Sequence, residues 1–448
     1  MSIETIRQST DFVINDLSIV SKVLDKPYSI QNLFTELDIY ESFFSPVMTG
    51  QIMMRDSVGL LSKINFDGTE YINIDISKTG SDFASLKKTF RIYSVTDRKN
   101  IGQSSEVYIL NFASEEFILS EQMKINKSYS GLYSDVVIDI LMNKLNVSEE
   151  KMGGVFESSL GLNDIVIPNY KPITAILWCQ NRALDIDQNP SFLFFENVNG
   201  FNFVSLSSLN SNPIAIPLNF RPKNVAGSRN GEKGQGILGV QSSTVTEQVN
   251  ILNRVSKGID ASSFLAFDTL TNSYGVYQKN IADTLGNMKP IDDVESLNFS
   301  LSTDRDGISN INLYDSHVIL RHTDSLSTGS SYIKKRMPYF KPEGMEKIIA
   351  QRKAIIYSLM MKQITCVLPG NFTLAAGTKV DLQYPDYSFK DMKSDNIDAS
   401  LAGKYLITDT RHIITYEKHS TIINVGSAYS QQPIIAGTSN AQREAMNG

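Results

Sequence analysis

Two stretches near opposite ends of the chain are alike, and no other feature limits its fold as tightly. Residues 91–98 read Arg-Ile-Tyr-Ser-Val-Thr-Asp-Arg, and residues 405–412 read Tyr-Leu-Ile-Thr-Asp-Thr-Arg-His. Setting Tyr93 against Tyr405 also matches Thr96 with Thr408 and Asp97 with Asp409. Each run is followed, after a polar turn, by a second strand-like run, at 107–114 and 421–427. Two readings are open. One β-domain occurs twice and brackets inserted material, or two β-rich segments agree by chance.

The rest of the chain supports a mainly β, α+β protein with several domains, as its 448 residues suggest. In residues 1–118, Ile72, Ile74 and Ile76 alternate with polar neighbours, as do Tyr108, Leu110 and Phe112, the period of a half-buried strand. Short strands between Gly, Asn, Asp and Ser clusters predict a small antiparallel barrel or sandwich there. Residues 119–237 read as an α+β unit. A helix is expected behind Ser134 as N-cap, with Val137, Leu141 and Leu145 on one face. Pro172 opens a second helix striped by Ile173, Ile176, Leu177 and Leu184. A hairpin is expected over 191–206, turning at Asn197-Val-Asn-Gly200. Residues 226–239 are Gly-rich and linker-like. Beyond them Val245, Val249, Leu252 and Val255 predict a helix stopped by Gly258. Strands resume at Ser262, residues 283–340 read as irregular and polar, and a long helix follows Pro342. The expected division is 1–118 and a discontinuous 238–258 plus 345–430 as two similar β-domains. An α+β unit (119–237) and a β-rich unit (259–344) are inserted between them, and 431–448 form a mobile tail.

No catalytic, cofactor or metal residue is assigned. Gly234-Gln-Gly-Ile-Leu-Gly239 matches a dinucleotide fingerprint, but Asn230-Gly-Glu-Lys233 before it cannot be the buried strand that fingerprint needs. Cys179 and Cys366 sit far apart in apolar runs and read as buried free thiols. The four histidines, His317, His322, His412 and His419, form no HExxH and read as surface or partly buried side chains; His412 and His419 could meet across a turn. No GxSxG elbow occurs, and Asp292-Asp293 and Asp304-Arg-Asp306 read as solvated loops. The first residues carry no apolar leader, and the window 355–368 is too short and too polar to span a bilayer, so a soluble protein of a reducing compartment is expected. A net charge of −6 argues against a general nucleic-acid binder without excluding nucleic acid passing nearby. These absences shift weight to assembly or binding.

Three stretches resemble baseplate hub proteins of contractile-tailed bacteriophages. They are residues 29–56, with Glu36-Leu-Asp-Ile-Tyr-Glu41 leading to Thr49-Gly-Gln-Ile52; residues 167–178 with the Phe-rich hairpin 191–206; and Gly403-Lys-Tyr-Leu-Ile-Thr-Asp-Thr-Arg-His412. The resemblance covers residues 1 to about 430. It implies two antiparallel β-barrel tube domains per chain with α/β and β-rich insertions. It further implies a homotrimer whose six tube domains adapt the three-fold spike to the tail tube. Expected partners are the central spike protein, tail tube or tube-initiator proteins and surrounding wedge proteins. DNA would pass without specific binding, and no stable membrane insertion is expected. The location implied is the virion, after assembly in the host cytoplasm. The hub of a phage-like injection or secretion device and a tail-associated cell-wall hydrolase stand as alternatives. Residues 1–118 hold 16 acidic and 11 basic residues, nearly all of the net charge. Lining a channel, three copies would place −15 around the axis and keep DNA from sticking; on an outer surface they would serve solubility instead.

Overall fold

A computed structural model describes residues 12–78, 85–101, 104–219, 239–247, 252, 256, 261–268, 273–280, 317–323, 345–360, 362–384, 398 and 401–427. The Gly234 motif up to residue 238, Asp292-Asp293, Asp304, Asp306 and the tail 431–448 lie outside them.

The first stretch builds β1 (Phe12–Val20), β2 (Tyr28–Ser29), β3 (Phe34–Ser42), β4 (Thr49–Asp56), a short helix α1 (Leu60–Ile64), β5 (Tyr71–Lys78), β6 (Leu86–Ile101) and β7 (Ser105–Ala113). The alternation read at Ile72, Ile74 and Ile76 is the inward face of β5, with all three buried. Next come α2 (Glu115–Gln122), β8 (Ile125–Gly131), α3 (Tyr133–Asn143), β9 (Asn163–Tyr170), α4 (Pro172–Gln180), β10 (Phe192–Asn197), β11 (Gly200–Ser205) and α5 (Leu206–Ser211). Pro172 stands in the first turn of α4, where its missing N–H costs nothing. Ser134 lies inside α3 rather than capping it. Its hydroxyl accepts from the Ser159 N–H and its own N–H donates to the Ser159 hydroxyl, both at 3.2 Å. The Phe-rich hairpin forms as expected, but β10 and β11 are buried throughout, one face against α4 and the other against β3 and the last helix.

The remaining elements are β12 (Ile216–Asn219), β13 (Ser242–Glu247), β14 (Ala261–Asp268), β15 (Ser273–Asn280), β16 (His317–Thr323), α6 (Met345–Leu359), β17 (Lys362–Pro369), β18 (Lys379–Gln383), β19 (Gly403–Thr415) and β20 (His419–Ser427). One expectation is displaced here and another fails. Of the helix read from Val245, the stretch up to Glu247 is the strand β13, paired with β17 over a run of Ser, Thr and Val, whereas Leu252 and Ser256 are helical. Within the stretch read as irregular, residues 317–323 form β16, which lies parallel to β14 in a three-stranded sheet.

Among the described residues the main sheet has thirteen strands, ordered β13-β17-β20-β19-β3-β4-β7-β6-β5-β1-β2, with β18 on β19 and β12 on β18. All of its pairs are antiparallel except β12–β18. The sheet divides into two strand sets joined between β3 and β19. The first set runs β3-β4-β7-β6-β5-β1, and the second runs β13-β17-β20-β19-β18-β12. Taken by rank along the chain, the two spatial orders are identical. Each set encloses its own core, one around Ile39, Ile52, Ile74 and Leu110, the other around Ile364, Cys366, Tyr405 and Val425. β12, inside the stretch read as the α+β unit, supplies the last strand of the second set.

Gly50 shows how closely the first core is packed. A Cβ there would lie 2.4 Å from the Phe112 ring and 2.5 Å from the Asp38 carbonyl oxygen, so the Thr-Gly-x-Ile run needs its glycine. Gly50→Ala should cost about 1–3 kcal/mol through overpacking. Chemical denaturation measures it, and an unchanged midpoint would contradict the packing.

Candidate assembly site at the junction of the two strand sets

β3 and β19 are 373 residues apart at the Asp38–Arg411 pair, yet they form one ladder from Asp409 opposite Ser42 to Thr415 opposite Glu36. The Phe43 N–H extends it, donating to the Thr408 carbonyl at 3.0 Å. Two of the three stretches that carry the family resemblance are therefore the two sides of one seam. Glu36-Leu-Asp-Ile-Tyr-Glu41 is β3, and Thr408 to His412 belong to β19.

On one face of the seam Arg411 grips Asp38 with two parallel bonds, Nε to Oδ1 at 3.2 Å and Nη2 to Oδ2 at 2.9 Å, with Glu36 3.7 Å away. Gln51 and the Tyr40 hydroxyl also donate to Asp38 Oδ2. The carboxylate raises the Arg411 pKa, chiefly through these hydrogen bonds, while burial and then the Asp38 charge raise that of Tyr40. The fork geometry fixes register as well as adding attraction.

On the other face Glu41 and His412 are wholly buried. His412 Nε2 stands 3.8 Å from Glu41 Oε1, and His412 Nδ1 is 3.1 Å from Thr421 Oγ1 and 3.3 Å from His419 Nε2. Phe372 lies 4.7 Å, centroid to centroid, from both imidazoles. The pair does meet across the β19–β20 turn, but both rings are buried, contrary to the sequence reading. Burial pushes Glu41 up to about 7 and His412 down to about 3, with Lys78 adding to the latter. Glu41 also accepts from the Ala376 N–H at 3.2 Å.

The hairpin locks both sets. Glu196 accepts from the Met48 N–H at 3.0 Å, from Lys88 at 3.0 Å and from the Ser114 hydroxyl, all in the first set. Its neighbour Asn197 donates to the Ala376 carbonyl of the second at 3.1 Å. From α6, Arg352 donates to the Phe192 carbonyl at 2.6 Å, and its burial lowers its pKa to about 10. None of Asp38, Glu41, Lys88, Glu196, Arg411 or His412 was singled out as a site from sequence, because each acts through a partner distant in the chain. The arrangement is a polar bracket holding three parts of one chain together. Among the described residues no three His, Cys, Asp or Glu side chains are grouped to hold a metal ion, and no helix is long and apolar enough to cross a membrane.

No family model matches the chain. A protein of Vibrio phage KVP40 described as "Probable baseplate hub protein gp334" is 22% identical over 447 residues, covering 96% of this chain and 97% of that one. The 43 kDa tail protein of prophage MuSo2 from Shewanella oneidensis has a TM-score of 0.51 at 9% identity, over 92% of this chain and 98% of that one. A tail protein from Neisseria meningitidis MC58 aligns over 92% of this chain and 97% of its own, with 11% identity and a TM-score of 0.48. At such identities a solved structure speaks for fold alone, here that of the Shewanella protein. By a relative matched along nearly its whole length, and by a shared fold, the chain resembles phage baseplate hub and tail proteins.

Proposed function

We propose that this chain is the structural hub of a phage baseplate, a trimeric ring that joins the tail tube to a three-fold spike and leaves a channel for DNA. The observation that carries this reading is the repeated strand order. Two sets of six strands with one order, joined edge to edge, are what a chain needs to contribute two equivalent sectors to a ring. Three chains then present six similar tube domains to the tube and three chains to the spike. The two sets are the tube domains, with the α+β unit and the β-rich unit as insertions. The hub acts by assembly rather than catalysis: at its seam and hairpin, Asp38 with Arg411 and Glu196 with Lys88 are paired across distant strands. Its partners are the spike, tube or tube-initiator proteins and wedge proteins, and its place is the virion tail, reached after assembly in the host cytoplasm. The acidity of residues 1–118, carried three times around the axis, keeps DNA from adhering as it passes.

Native mass measurement of the purified protein, followed by top-view class averages, tests this. Three times the 49.9 kDa chain and six lobes around a hole are expected. A stable monomer at micromolar concentration would overturn the ring. Tight DNA binding by the ring at physiological salt would overturn the passive channel.

A further inference from the structure

The ladders fix which positions of the two strand sets are equivalent. Asn111 of β7 faces Gln51 of β4 and Ser94 of β6, and Asn424 of β20 faces Thr365 of β17 and Asp409 of β19. A register shift falls at the matching place in each set, between Ile92 and Ser94 and between Ile407 and Asp409. β5 and β18 agree: Ile72 faces Phe90, and Val380 faces Tyr405, all four buried. In the outermost pair Asp38 of β3 faces Gln51, and Thr244 of β13 faces Thr365.

One ladder has no counterpart. On one edge of β19, β18 covers residues 403–406 and β3 covers 409–415, while β20 takes the other edge. On the equivalent edge of β6, β5 covers residues 86–91, and no described strand covers the rest. β13 likewise has β17 on one side and no described strand on the other. Residues 96–101 of β6 are exposed, and β13 alternates exposed and half-buried residues. Open edges of this kind invite strand addition. These two match the sides of the seam that already joins the two sets within the chain.

We propose that β13 of one subunit pairs antiparallel with the open edge of β6 in the next subunit, in the register of the β3–β19 seam. Allowing for the register shift between Val245 and Glu247, Thr96 then stands opposite Glu247, and Lys99 stands opposite Thr244. The occupant of each edge is a second copy of this chain, and the contact is heterologous, so it propagates until the ring closes. This pairing rests on the ring reading above and names the surfaces that build it. The side chains suit an opposed pair. The only charged residue of β13, Ser-Ser-Thr-Val-Thr-Glu, is Glu247, which faces the neutral Thr96, and Arg98 of β6 is already engaged with Glu106 at 2.8 Å. No like charges face each other. Thr96 and Thr244 stand where Arg411 and Asp38 stand within the chain, so the seam between subunits lacks that ion pair and parts more readily.

The test is a cysteine pair, Thr96→Cys with Glu247→Cys, oxidised mildly and run on a non-reducing gel. Cys179 and Cys366 are buried with thiols pushed up to about 12, so neither competes. Covalent species of two and three chains, and none larger, are expected. The displaced pair Thr96→Cys with Ser242→Cys should link at least about tenfold less, since its Cβ atoms are several residues out of register. Lys99→Cys with Thr244→Cys repeats the measurement should the first pair fail to fold. A sample of trimeric native mass that yields no link with either matched pair would overturn this seam while leaving the ring. A monomeric sample would overturn both. Ladders running past three chains would show an open filament and overturn closure.

Discussion

Lys88→Met should cost about 3–5 kcal/mol of folding stability, the usual consequence of removing one partner of a buried ion pair. The Lys88 ammonium and the Glu196 carboxylate are 8% and 1% exposed and 3.0 Å apart. Lys88 also donates to the Asn197 carbonyl at 2.7 Å, so its loss strands two acceptors at the turn that ties the hairpin to the first strand set. Glu196 would keep the Met48 N–H and the Ser114 hydroxyl but would have lost its paired cation. Adding Glu196→Gln removes the stranded charge and keeps an acceptor for Met48. The double variant should therefore recover at least half of the loss, a coupling that a double-mutant cycle isolates. Chemical denaturation of the four proteins measures it. A loss under about 1 kcal/mol for Lys88→Met would show that the pair is solvated and does not lock the hairpin.

What sequence could reveal depended on whether a signal was local. The inward face of β5, the Pro172 start of α4 and the 191–206 hairpin were legible because periodicity and turn chemistry act within a few residues. The helical spacing of Val245, Val249, Leu252 and Val255 holds at Leu252, which is helical, but not at Val245, whose strand state comes from β17, more than a hundred residues on. The internal repeat was found at the right strands but three residues out of register. Tyr93, matched with Tyr405 by identity, falls at a register shift and is 54% exposed, whereas Tyr405 is fully buried and donates to the Leu401 carbonyl. A bulge moves side chains without leaving a mark in composition. Ladders place Phe90 with Tyr405 and Ile92 with Ile407 instead. The seam itself was invisible: Asp38 and Arg411 look like ordinary strand charges until the ends of the chain meet.

Acid should open that same seam. His412 is held neutral, its pKa lowered from 6.5 to about 3 by burial and then by Lys78 on β5; His419 on β20 is lowered too, by burial, by His412 and by Lys78. A base whose folded pKa is depressed contributes stability above its unfolded value, and that stability is lost as pH falls from 6.5 toward 3. Glu41 on β3, raised by burial from 4.5 to about 7, acts in the opposite sense. Its contribution is complete below pH 4.5 and is lost as pH rises toward 7. Between pH 6.5 and 4.5 the two histidines therefore oppose one carboxyl, and below 4.5 the histidines act alone. For His412 the whole span amounts to roughly 5 kcal/mol at about 1.4 kcal/mol per pH unit. His412→Asn keeps a polar side chain that does not titrate. Urea unfolding from pH 7.5 to 4 should show the wild type losing stability more steeply than this variant, by about one proton's worth of slope. Equal slopes would place the acid response elsewhere. The direction follows from position: Glu41 and His412 occupy facing strands of the one ladder that joins the two sets among the described residues. A proton forced onto either imidazole puts a buried charge within the field of Lys78, and the β3–β19 pairing is what must yield.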